Sequence, residues 1–109
     1  MTGLSSLLAL LLLVLAPAGA ASPQETLQED LLATSAGPLT ITFIGHGTLM
    51  FRHGGKVIHV DPVGREADYA ELPDADLVLI THEHGDHLDP AAIAEVSKAG
   101  TQVVVATSC

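Results

Sequence analysis

The stretch from Leu77 to Ala106 does most to limit what this chain can become. Leu77-Val78-Leu79-Ile80 is a continuous apolar run bounded by Pro73-Asp74-Ala75-Asp76 and by the polar residues from Thr81 onward, as in a central strand buried on both faces. Asp89 can cap a helix that begins with Pro90 and runs through Ile93 and Val96 to Lys98, with Gly100 placed to end it in the left-handed conformation. Gln102 to Ala106 then forms another apolar strand. Strand, loop, helix and strand at this length make a βαβ unit, so the two strands are predicted to be parallel with a right-handed crossover. The fold class is α/β.

Upstream of this unit the periodicity changes. After the breaker Gly37-Pro38, Leu39 to Ile44 alternates apolar and polar residues with period two, which predicts a strand. Thr48–Arg52 and Lys56–Asp61 are two more, joined by His53-Gly54-Gly55, where the glycines supply the positive φ of a tight hairpin. The polar segment Pro62–Pro73 is predicted to lie on the surface as a loop. Ser22-Pro23-Gln24-Glu25 has the form of a capping box, predicting a short helix to about Ala33 whose Leu27, Leu31 and Leu32 form a narrow docking stripe. With 109 residues there is room for one small domain, read as residues 38–109 behind a helix and linker at 22–37.

The first 21 residues have the layout of a secretory signal peptide. Leu7 to Ala16 is an unbroken apolar decapeptide, and Pro17-Ala18-Gly19-Ala20 supplies the small residues that a signal peptidase reads. The run is too short to span a bilayer, which takes about 18 apolar residues, and Pro17 interrupts it. No cysteine follows it for lipid attachment, and the segment before it lacks Lys and Arg. The expectation is an exported protein, periplasmic or secreted, without a stable membrane span after cleavage near Ala21.

Thirteen acidic residues against four basic ones give a formal net charge of -9. Arg52, Lys56, Arg65 and Lys98 cannot neutralise many phosphates, so nucleic acid is excluded as a partner. Cys109 is a single cysteine and cannot form an intrachain disulfide.

The chemistry is concentrated directly after the apolar strand. Thr81-His82-Glu83-His84-Gly85-Asp86-His87-Leu88-Asp89 holds three histidines and three acids in nine residues. Neutral imidazole and carboxylate suit zinc, and loops at the carboxyl ends of strands are where α/β sheets hold ligands. If the backbone bends, for which Gly85 gives freedom, His82 and His84 can turn to one point while Asp86 and His87 face a second beside it. Protons would compete for these imidazoles, so metal affinity is expected to weaken as pH falls through about 6.5. His53 and His59, in a turn and on the polar face of a strand, and Glu83 are given no role.

His82, His84, Asp86 and His87 match in type and spacing the His-x-His-x-Asp-His motif, so the sequence resembles the metallo-β-lactamase superfamily of metal-dependent hydrolases. Ile44-Gly45-His46-Gly47-Thr48 and Val57-Ile58-His59-Val60-Asp61-Pro62 are similar to the first hairpin of its branch of ascorbate-lactonase-like proteins and N-acyl phosphatidylethanolamine phospholipases. The likeness covers roughly residues 39 to 106. It implies the N-terminal half of an αβ/βα sandwich with a mixed sheet.

The resemblance further implies that His82 and His84 hold one metal and that Asp86 and His87 hold the other, with Asp86 counted as catalytic. Asp61 would support the metal loop from behind and His46 would lie near the site or on the substrate side. Such enzymes cleave esters, lactones, amides, thioesters or phosphodiesters with a water or hydroxide bridging two metals, usually zinc. The substrate would be a small molecule or lipid, and the hairpin points away from β-lactams. Their remaining ligands come from a C-terminal half, and no histidine follows His87 here. Each metal would keep two ligands from this chain, so the expectation is a truncated, incomplete copy that needs a complementing C-terminal half. The alternative is a non-catalytic remnant that binds metal weakly or stays unfolded.

Overall fold

The computed structural model describes residues 26–109, so the leader and the Ser22–Glu25 capping box lie outside the described residues. Six strands form one mixed sheet in sequence order: β1 (Gln28–Thr34), β2 (Gly37–Gly45), β3 (Thr48–His53), β4 (Lys56–Val60), β5 (Ala75–Ile80) and β6 (Ser97–Val105). β1 to β4 pair antiparallel as a meander, and β4–β5 and β5–β6 are parallel. A single-turn 3₁₀ helix at Tyr69–Glu71 lies between β4 and β5, and α1 (Pro90–Val96) makes the β5-to-β6 crossover. The predicted βαβ unit and mixed α/β sheet are both present.

The β3–β4 hairpin turns at Gly54 and Gly55, with φ of 56° and 75°. Left-handed geometry at both centres gives the backbone twist that matches two right-twisted strands. Asp89 caps α1 through its side chain, which accepts from the Ala91 and Ala92 amides.

Four local expectations are corrected. In place of a helix ending near Ala33 there is β1, an edge strand paired to β2 from Gln28↔Phe43 to Thr34↔Gly37. Seven ladder positions outweigh a three-leucine helical stripe, and Glu29 adds a bond from Thr42 Oγ1 at 2.8 Å. α1 stops at Val96 rather than Lys98, and Gly100, with φ of 88°, lies within β6 where the ladder shifts register between Ala75 and Leu77. The Pro62–Pro73 loop is anchored, with Pro62, Val63 and Tyr69 buried and the Tyr69 hydroxyl accepting from the Val63 amide at 2.9 Å. His59 faces the core, in one cross-sheet row with Thr42, Met50 and Val78.

Ile44, Met50, Tyr69, Ala75, Val78, Ile80, Ala92 and Val96 form the core between the sheet and α1 with its neighbouring loop. The opposite face of the sheet carries Phe43, Leu49, Val60, Leu79 and Val104 in one row and Ile41, Phe51, Ile58 and Leu77 in the next. From Leu77 to Ile80, β5 is therefore apolar but buried fully only on its α1 side, where Val78 and Ile80 lie; Leu77 and Leu79 are half-buried.

Candidate metal centre

Three loops meet at one edge of the sheet. Because β4 and β5 are parallel, their carboxyl ends lie side by side, and antiparallel β3 brings the β2–β3 turn to the same end. The turn contributes His46, the end of β4 contributes Asp61, and the loop after β5 contributes Thr81 to Asp89.

Asp61 organises the edge from below. It is buried and sits at φ of 47°, a left-handed conformation that Asp tolerates better than most side chains. Its amide donates to the Leu79 carbonyl at 2.9 Å, and its carbonyl accepts from Thr48 Oγ1 at 2.7 Å. Its carboxylate Oδ1 accepts from the Thr81 amide at 2.7 Å, while Oδ2 takes both Thr81 Oγ1 at 2.6 Å and His87 Nδ1 at 2.7 Å. Three donors occupy this carboxylate, so it holds the loop and one of its histidines.

The loop itself closes as a turn, with the His87 and Leu88 amides both donating to the His84 carbonyl at 2.8 Å. Gly85 has no positive φ, and a Cβ there would meet open space, so the bend does not depend on glycine. The rings of His82 and His84 lie 4.7 Å apart between centroids, and those of His82 and His87 lie 4.0 Å apart. Donor atoms of His82, His84 and Asp86 all fall within 4.8 Å of one another, and so do those of His46, Asp86 and His87.

The structure thus brings together all six residues singled out from sequence. His82 and His84 share one cluster, Asp86 belongs to both, and His87 joins His46 in the second. Asp61 also lies within reach of His82 and His87. His46, at φ of 52°, points Nε2 at Asp86 Oδ2 at 2.9 Å. That bond, first among several causes, holds the Asp86 carboxyl below the usual carboxylate range and therefore ionised at neutral pH.

Three supporting residues escaped the sequence reading. Thr48 and Thr81 brace Asp61 from two strand ends. Gly47 backs the His87 ring so closely that a Cβ on it would lie 2.7 Å from His87 Cε1. Only the glycines flanking His46 hinted at such close approach. Nothing in the spacing pointed to the threonines, whose partner lies 13 and 20 residues away in the chain. His53, bonded to the Pro38 carbonyl at 3.1 Å, and Glu83 take no part in these donor clusters.

Imidazole nitrogens and an ionised carboxylate converging in two overlapping groups are a donor set that fits divalent metal. The family described as beta-lactamase superfamily domain matches residues 40–107. A UPF0173 metal-dependent hydrolase of Flavobacterium johnsoniae is 43% identical over 67 residues, covering 56% of this chain and 30% of that protein. One of Thermodesulfovibrio yellowstonii is 36% identical over 81 residues, covering 67% and 30% respectively. A crystal structure from Parabacteroides distasonis, of a protein described as a metal-dependent hydrolase, superposes with a TM-score of 0.70 at 53% identity, covering 72% of this chain and 36% of that one. The chain spans about a third of the length of these relatives. With a matched segment that runs from β2 through β6 and contains the whole His-Asp cluster, the chain belongs to the beta-lactamase superfamily.

Proposed function

We propose that this chain supplies the metal-holding part of a zinc-dependent hydrolase acting on esters, lactones or phosphodiesters. The observation that carries the reading is the convergence of His82, His84, Asp86 and His87 at the carboxyl end of β5, with Asp86 common to both donor groups. The names of the relatives, all metal-dependent hydrolases, support it.

His82, His84 and Asp86 would hold one ion and Asp86 and His87 a neighbouring one, with His46 beside the second. Zinc bound there lowers the pKa of water and polarises a carbonyl or phosphoryl oxygen. The protein's own part is to present these donors ready-made. Asp61 fixes the His87 ring, and His46 aims Asp86 and further favours its charged form. A further share of such an enzyme, comparable to the length by which the relatives exceed this chain, would complete the coordination and form the substrate cleft. Export, suggested by the apolar leader, belongs to the same proposal and is checked by sequencing the N-terminus of the mature protein.

The test is zinc binding to the purified chain beside His82→Ala/His84→Ala. Stoichiometric zinc, lost in the double variant, supports the reading, and hydrolysis of a nitrophenyl ester, a lactone or a nitrophenyl phosphodiester would extend it to activity. Binding without turnover by this chain alone is expected where the cleft is still to be completed, and binding without turnover once the further share is supplied favours the metal-binding, non-catalytic alternative. No binding in the intact chain overturns the metal reading altogether.

A further inference from the structure

Thr81 is an exposed residue just after β5, one position before the first histidine of the motif. Its hydroxyl nevertheless stands between two groups that matter. Oγ1 lies 2.6 Å from Asp61 Oδ2 and 2.8 Å from His82 Nδ1. A hydroxyl carries one proton, and an ionised carboxylate can only accept. The Thr81 proton must therefore go to Asp61, since otherwise two oxygens would face each other at 2.6 Å with nothing between them. The contact to His82 is then made by the imidazole's own hydrogen: Nδ1–H donates to Thr81 Oγ1.

The same reasoning applies on the other side of the carboxylate. His87 Nδ1 lies 2.7 Å from Asp61 Oδ2, an acceptor, so Nδ1 carries the hydrogen there as well. In the neutral ring this arrangement leaves the lone pair on Nε2 in both cases. Two histidines from one loop are thus set in the same tautomer by one buried carboxylate, directly for His87 and through Thr81 for His82.

We propose that Thr81 is a positioning residue of this centre, its hydroxyl relaying the Asp61 carboxylate to His82 Nδ1–H so that Nε2 of His82 is presented for metal. The inference rests on the metal reading in its functional consequence, but the tautomer it specifies is a property of the metal-free chain. A histidine ligand generally donates its other ring N–H to a nearby oxygen, and losing such a partner costs about 10- to 100-fold in metal affinity. Thr81 fills that place for His82, while its amide, donating to Asp61 Oδ1 at 2.7 Å, keeps the hydroxyl in register with the carboxylate.

The experiment compares the full chain with Thr81→Val, which preserves shape and deletes the hydroxyl, and Thr81→Ser, which restores it. Ring-nitrogen chemical shifts from long-range proton–nitrogen correlation spectra, recorded without metal at about pH 8 so that ordinary imidazoles are neutral, report the tautomer of His82. The Nδ1–H form is expected in the wild type and in Thr81→Ser, with a shift toward Nε2–H in Thr81→Val. Zinc competition with a chromophoric chelator should show Thr81→Val weakened about 10- to 100-fold and Thr81→Ser close to wild type.

An Nε2–H tautomer at His82 in the wild type overturns the proposal outright, and that spectrum needs no variant to fold. Wild-type zinc affinity in a folded Thr81→Val overturns it equally. Should the wild type bind no zinc while His82 holds the Nδ1–H form, the metal reading fails and the relay stands as a structural fact. The two failures are therefore told apart.

Discussion

Gly47 shows how little room the centre leaves at the level of single side chains. Its φ is not in the left-handed region, so alanine would suit the backbone, and the obstacle is the His87 ring that a Cβ would meet at 2.7 Å. Gly47→Ala is expected to displace His87 from Asp61 and to weaken zinc binding at least tenfold, a loss of about 1.4 kcal/mol, while the far-ultraviolet circular dichroism spectrum stays that of wild type. His59 offers a second check away from the loop. Burial, opposed by the bond to the Pro73 carbonyl, pushes its pKa below the ordinary 6.5, so the folded chain favours the neutral ring. As pH falls through 6.5 the unfolded chain takes up the proton first, so the His59 contribution to stability is complete above that value and is lost toward the lower folded pKa. His59→Leu should flatten the dependence of Tm on pH between about 7.5 and about 5.5. At this scale the four motif residues were legible because their chemistry is packed into one loop. Thr81 and Gly47 were not, because Asp61 and His87, against which they stand, lie far from them in the chain. The Val57-Ile58-His59-Val60 run does not declare which parity faces inward, and the sheet register decided it.

Among the described elements, α1 is a short helix of seven residues with one strong cap. Asp89 serves two segments at once, accepting from Ala91 and Ala92 at the helix start and from the Gly64 amide at 2.9 Å in the loop after β4. Those bonds, that from Gly64 foremost, hold its carboxyl below the usual range, so their stabilisation is present above about pH 4 and fades as pH falls further. Asp89→Ala should lower stability by about 1 to 2 kcal/mol, read as a reduced urea midpoint at neutral pH. Elements whose signals are local were read correctly. The double glycine between β3 and β4 dictates its own turn, and Asp-Pro at the start of α1 is cap and first position together. β1 was misread because its leucines satisfy helical spacing, while the edge of β2 that captures it is visible only in three dimensions. The end of α1 was misjudged for a similar reason: Gly100 suits a left-handed helix cap equally well as the irregular stretch of β6 that it occupies.

At the scale of the molecule, the sheet has a helix on one side and, among the described residues, none on the other. Ile41, Phe43, Leu49, Phe51, Ile58, Val60, Leu77, Leu79 and Val104 lie across that second face, with Phe43 45% and Val104 54% exposed. A continuous apolar face of this kind is covered in stable domains by further chain or by another molecule. The isolated 109-residue chain is therefore expected to self-associate despite its net charge of -9. Sedimentation velocity over a concentration series measures this, and Phe43→Lys/Val104→Lys, which leaves the α1 side untouched, should weaken association about tenfold or more. Retention of the association in that variant would place the contact elsewhere.

The position of Asp61 has a kinetic consequence. His82, His84 and Asp86 are close neighbours in the chain and are available to an ion at any stage. The carboxylate that steadies the loop is separated from Thr81 by 20 residues and from His87 by 26, and His46 is separated from Asp86 by 40. These supports come into place only when β4 and β5 have paired in parallel, a step that must close the intervening loop before any contact rewards it. The finished centre is therefore expected to form late in folding. An ion bound to it will act chiefly on how slowly the structure comes apart, and hardly on how fast it forms.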